Sequence, residues 1–157
     1  MGTAIPPRRG LYFEEFQVGQ RVPTPGRTVT EADIVTFAGL SGDFNTIHTD
    51  AEYSATTPFG KRVAHGLLGL AIASGLAVRT GVMEGTVLAF REISEWKFSR
   101  PIFIGDTVHA EIEVAETKAL PRLGGGSVVF DVDLKNQAGE TVMKGRWSVI
   151  VQSKPQA

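Results

Sequence analysis

Cysteine is absent from the 157 residues. That excludes disulfides, a thiolate nucleophile and any Cys-ligated metal. Histidine is scarce as well, with three in all, His48, His65 and His109. Imidazole chemistry is confined to those positions. Neither sign of charge predominates: 16 Lys and Arg stand against 17 Asp and Glu, for a net charge of −1. Nothing resembles a nucleic-acid footprint or a polybasic membrane patch. Long apolar runs are missing too. Gly66 to Val78 carries no charge, but as a helix it spans only about 20 Å, too short for a hydrocarbon core of about 30 Å. The start, Met1 to Gly10, holds Pro6-Pro7-Arg8-Arg9 without an apolar signal core. It reads as a flexible tail, and a cytoplasmic protein is expected.

What is present is enough for a core. At 42% apolar the chain suits one folded domain, expected over 11–152 with a short C-terminal tail at 153–157. Arg27-Thr28-Val29 reads as a short first strand. Thr30-Glu31-Ala32-Asp33 forms a capping box, and Ile34, Phe37 and Ala38 follow at helical spacing. That helix should end at Gly39 to Gly42. Ala51 to Arg62 reads as irregular. Gly66 to Val78 is apolar all round, as in a helix buried on every side; Arg79 and Gly81 suit its C-terminus.

The second half is strand-like. Val108, Ala110, Ile112 and Val114 alternate with polar residues, as do Val128, Phe130, Val132 and Leu134. Val87 to Phe98 and Thr141 to Val151 read as further strands. Four consecutive strands with short links predict an antiparallel meander. With the first strand this gives an α+β fold, a five-stranded antiparallel sheet wrapped around one central apolar helix.

Asp43-Phe44-Asn45-Thr46-Ile47-His48 follows a Ser41-Gly42 break. On a continuous helix Asp43 and His48 would stand about 140° and about 7.5 Å apart. Gly42 and Asn45 favour leaving the helix. On a turn the two side chains can converge on one water, with His the group that titrates nearest neutrality. The residues alone leave a second reading open, in which Asp43 and Asn45 are turn residues and His48 is structural.

Three stretches occur in order: Ser41-Gly42-Asp43-Phe44-Asn45-Thr46-Ile47-His48, then Ala64-His65-Gly66 opening the apolar helix, then Phe98-Ser99-Arg100-Pro101 with Gly105-Asp106-Thr107. Together they resemble the MaoC-like dehydratase family, including the (R)-specific enoyl-CoA hydratases, which have the hotdog fold. The resemblance spans roughly Phe13 to Val151. It departs at Thr46, where the family often has proline. It implies hydration of a trans-2-enoyl thioester, coenzyme A the expected carrier, without a cofactor. Asp43 and His48 would be the catalytic pair and Asn45 would brace their loop. Gly66 would supply an oxyanion-hole N–H, while Ser74 would support the site. A homodimer or higher oligomer is implied, with no nucleic-acid or membrane partner.

The chemistry fits those roles. Adding water across the double bond builds negative charge on the thioester oxygen, which needs a fixed donor. The first N–H groups of a helix are unpaired and lie at its positive end. Gly66 could equally serve close packing. His65 could line the site or be structural. His109 falls on a polar strand face. Asp43, His48, Asp50 and His65 invite a metal, but no H-x-x-x-H pair exists, and none is expected. Trp96 and Trp147 suit a core or interface. Arg62, Lys97 and Arg100, with Lys61 and Arg122, could meet coenzyme A phosphates. Ser41 and Ser74 lack a nucleophile elbow. Two rivals remain: a hotdog acyl-CoA thioesterase, and a non-catalytic acyl-thioester-binding or regulatory domain.

Overall fold

The alternating apolar residues of the second half build one antiparallel sheet. The computed structural model describes residues 10–156. Two short strands come first, β1 (Arg21–Pro23) and β2 (Arg27–Thr28), then four long ones: β3 (Val87–Phe98), β4 (Thr107–Leu120), β5 (Gly125–Lys135) and β6 (Thr141–Gln152). The strand order is β1-β4-β5-β6-β3, with β2 also on β4. Register sets Ile112 opposite Val132 and Val114 opposite Phe130, so the buried residues of β4 and β5 share the core face.

The meander holds only for β4, β5 and β6. β3 and β4 do not pair; β3 lies on the far edge against β6. The link 99–106 is spent on cross-ties instead of a hairpin. Ser99 N–H donates to the Val142 carbonyl, Gly105 N–H to that of Val29, and Phe103 bridges Val63.

Helix α1 (Glu31–Ser41) starts with the expected box: Asp33 N–H donates to Thr30 Oγ1 at 3.3 Å and Thr30 N–H to Asp33 Oδ2 at 2.8 Å. It continues through Gly39. Only Gly42 stops it, with φ 77°, a left-handed conformation that glycine adopts without strain. A short helix α2 (Thr46–Thr49) follows, and the stretch 51–62 is less irregular than expected, since it opens with the short helix α3 (Ala51–Ala55).

Helix α4 (Gly66–Arg79) lies on the sheet with Leu68, Ile72, Ala73, Leu76 and Ala77 buried. This is the hotdog arrangement, a sheet curled on one apolar helix. The helix is not enclosed on every side, however. A single sheet covers one face, leaving Leu67 61% and Val78 49% exposed. Gly69 admits the closest approach: a Cβ there would meet Met143 Sδ at 2.9 Å and Ile102 Cδ1 at 3.0 Å. Among the described residues, no helix is long and apolar enough to cross a membrane.

The N-terminal tail expected over 1–10 lies outside the described residues except for Gly10, which is buried and donates its N–H to Glu84. At the other end, Ser153 N–H donates to Gly124 and Lys154 N–H to Glu14 Oε2.

Candidate active site

The 42–50 segment is two local caps in series. Asp43 Oδ1 accepts the Asn45 N–H at 3.1 Å, and Asn45 Oδ1 accepts the Ile47 N–H at 3.2 Å. Asn45 thereby N-caps α2. His48 therefore sits in a single helical turn rather than on a plain turn, with Asp43 in the loop before it.

His48 is buried, and its Nδ1 lies 2.7 Å from the Val63 carbonyl oxygen. A carbonyl only accepts, so the proton is on Nδ1 and Nε2 keeps its lone pair. Burial holds the His48 pKa below the ordinary imidazole value. Its bond to Val63 opposes that shift, His65 reinforces it, and the Asp43 carboxylate opposes it. At neutral pH the ring is an uncharged base.

His65 joins the two halves. It is 2% exposed, and its Nε2–H donates to the backbone oxygen of Asp43 at 2.9 Å. Its ring stacks on His48, centroids 3.8 Å apart and planes 27° apart. Its Nδ1 is buried and has no hydrogen-bond partner. Asp43, His48 and His65 bring atoms that could ligate a metal within 4.8 Å of one another. Two of the four ring nitrogens are already bonded to carbonyls. One nitrogen on each ring, His48 Nε2 and His65 Nδ1, is left without a protein hydrogen bond beside the Asp43 carboxylate.

Gly66 opens α4 beside this cluster, and His65 at the N-cap makes no side-chain cap bond. The Gly66 N–H is among the amides that have no intrahelical partner. A groove of about 550 Å³ runs past it, lined by His48, Leu67, Phe98, Arg100 and Met143 among others. Asp43 is exposed and is not among the lining residues. A larger hollow, about 760 Å³, crosses the sheet elsewhere and holds no histidine. Its charges are largely paired, as in Arg21–Glu113 and Arg146–Asp131, whereas the smaller groove is lined by His48.

The other expected residues scatter. Ser74 is half-buried, about 12 Å along the helix from Gly66, and does not line the groove. Arg100 reaches the groove and pairs with Glu140 at 3.5 Å. Lys97 lines the other hollow, because neighbouring strand residues face opposite ways. Arg62 donates Nε–H to the His48 carbonyl at 2.7 Å and forks onto Glu31 at 3.0 and 2.8 Å. His109 lies near Glu111 at 3.9 Å. Trp96 and Trp147 stack in or beside the core. Sequence reasoning missed the Val63 carbonyl, Phe98 and Met143. A backbone acceptor has no residue signature; Phe98 could have been found from its place in the third stretch.

A family model described as "MaoC like domain" matches residues 15–132. Protein MaoC of Klebsiella aerogenes is 44% identical over 101 residues, 64% of this chain but only 30% of that protein. The (R)-specific enoyl-CoA hydratase of Rhodospirillum rubrum is 34% identical over 91% of this chain and 93% of its own length. The structure of a monoamine oxidase regulatory protein from Archaeoglobus superposes with TM-score 0.87 at 40% identity, covering 94% of this chain and 98% of that one.

Proposed function

Since the chain belongs to the MaoC-like family, we propose that it is a hydro-lyase that adds water across a trans-2-enoyl-CoA to give a 3-hydroxyacyl-CoA, reversibly. The observation that carries this reading is the free Nε2 lone pair of a neutral, buried His48 beside the Asp43 carboxylate, next to an unpaired helix-start amide. One water sits between the pair. Asp43 holds one O–H and His48 Nε2 accepts the proton of the other as oxygen bonds to Cβ. The π electrons move through Cα to the thioester oxygen, where the Gly66 N–H meets the charge. The proton then passes from His48 to Cα, restoring the thioester. No cofactor enters. We place the working unit in 11–152, in the cytoplasm, as a homodimer or larger homo-oligomer.

The test is turnover of crotonyl-CoA by variants. Asp43→Asn keeps size but loses the charge, and His48→Ala removes the base. Each should lower turnover by about 10²–10⁴-fold, and the double variant should be little worse, because groups acting on one water work as a unit. Near-wild-type hydration by either single variant would sink the mechanism. Free coenzyme A released without loss of enoyl absorbance would favour a thioesterase instead. Tight binding without turnover would favour a regulatory domain, as the name of the Archaeoglobus relative suggests for that protein.

A further inference from the structure

A helix of one turn cannot satisfy its own carbonyls. The last C=O groups of any α-helix need partners from elsewhere, and α2 consists of little else. Apart from the Asp50 N–H, which donates to the Thr46 carbonyl at 2.9 Å, its partners come from farther along the chain. Ser54 Oγ donates to the Thr46 and Ile47 carbonyls at 3.3 and 3.2 Å. Val63 N–H donates to Ile47 at 3.1 Å. The His48 carbonyl takes Arg62 Nε–H at 2.7 Å. This last bond is charge-assisted, and it puts a cation at the negative end of the helix.

Arg62 is itself held. Its two terminal nitrogens grip both oxygens of Glu31, in the first turn of α1. Its side chain is only 18% exposed, against 56% for Glu31. Three of its five N–H donors are therefore committed within the protein. The next residue, Val63, offers the carbonyl that fixes the His48 ring. Adjacent residues thus hold one histidine twice, by its backbone and by its imidazole.

From this geometry we infer that Arg62, braced by Glu31, is a positioning residue that sets the place and tautomer of the His48 ring for the reaction proposed above. It does not bind a coenzyme A phosphate, the role expected from sequence. Substrate contact is not needed for this role, and lysine cannot replace it fully, having no planar fork.

Steady-state kinetics and side-chain NMR test the inference on the whole chain. Arg62→Gln should lower kcat by about 10–100-fold, the range of a small misplacement of a reacting group, with KM for enoyl-CoA little changed. Glu31→Gln, an exposed change that spares the fold, should lower kcat less. Arg62→Lys should recover part of the loss. The combined Glu31→Gln and Arg62→Gln variant should match Arg62→Gln alone. Nitrogen-15 spectra of the imidazole should give the Nδ1–H tautomer for His48 in the parent and a mixture in Arg62→Gln. A raised KM with kcat preserved would overturn the inference in favour of phosphate binding. An unchanged tautomer and kcat with only a lower Tm would reduce Arg62 to a structural role. The NMR arm needs no turnover, so an inactive parent protein would refute the hydratase reading without deciding this one.

Discussion

Gly66→Ala separates catalysis from packing at a single methyl group. A Cβ on Gly66 would lie 2.8 and 2.9 Å from two carbons of the Phe98 ring. Carbon pairs settle at about 3.5–4.0 Å, so the ring must retreat by roughly 1 Å. Phe98 is 55% exposed, and it can swing without opening the core. Overpacking a closed interior costs about 1–3 kcal/mol; here the cost should sit at the low end. Alanine returns up to about 1 kcal/mol of helix propensity. The net change in stability should stay under about 1 kcal/mol, a Tm shift of no more than about 4 °C for a chain of this length. Activity should respond differently. The methyl and the displaced ring occupy the approach to the amide, and loss of one such donor commonly costs about 10²–10³-fold in kcat. Gly75→Ala, farther along the same helix and away from the groove, is the control. A Cβ there meets nothing within 4 Å. It should gain up to about 1 kcal/mol of stability from helix propensity while activity stays near normal. Thermal melts with crotonyl-CoA kinetics on both proteins decide the matter. If Gly66→Ala melts far lower yet keeps parental turnover, Gly66 is there for packing and the oxyanion role falls.

Three further outcomes follow from the same geometry. His48 binds its proton more weakly when folded than its ordinary value of about 6.5, so the unfolded chain holds more protons there. Its contribution to stability should be flat above about pH 6.5 and decline as pH falls toward the lowered value; NMR titration should find its midpoint below 6.5 and lower still in Asp43→Asn, and a parental midpoint above 6.5 would contradict the burial argument. Thr46→Pro should fold and hydrate normally, because Thr46 is the first residue of α2 and Asn45 already has φ −53° and ψ 137°, as a residue before proline requires; circular dichroism and kinetics check this. Finally, β3 pairs only with β6 among the described strands and exposes Leu88 (52%) and Phe90 (48%). Light scattering should give at least twice the 16.9 kDa chain mass, with Leu88→Glu shifting it toward the monomer.

The sequence yielded the elements whose physics is local. The Thr30–Asp33 box, the two alternating strands and the long apolar helix are each written in side chains a few residues apart. Strand order was not legible, because nothing in Val87 to Phe98 says that it passes β4 to lie against β6; that depends on the cross-ties of the link that follows it. The exposed face of α4 was misread, since an all-apolar pattern does not distinguish a helix enclosed by its own chain from one with an open side. At the site, the residue types of Asp43, His48, His65 and Gly66 pointed to one locus, and the fold gathers the first three. The Val63 carbonyl and the Arg62 contact stayed hidden because backbone acceptors and long-range ion pairs have no spacing rule.

The short helix bearing His48 also bears on how portable the chemistry is. Its carbonyls and its imidazole depend on Ser54, Arg62 and Val63, and Val63 is in turn bridged to Phe103. The hexapeptide from Asp43 to His48 is therefore not a transferable cassette. Grafted onto another scaffold without those donors and that acceptor, it would bring a histidine with a free ring, an unset tautomer and fraying backbone. The unit that could be moved is the circuit running from Glu31 through Phe103, which is most of the first two-thirds of the chain.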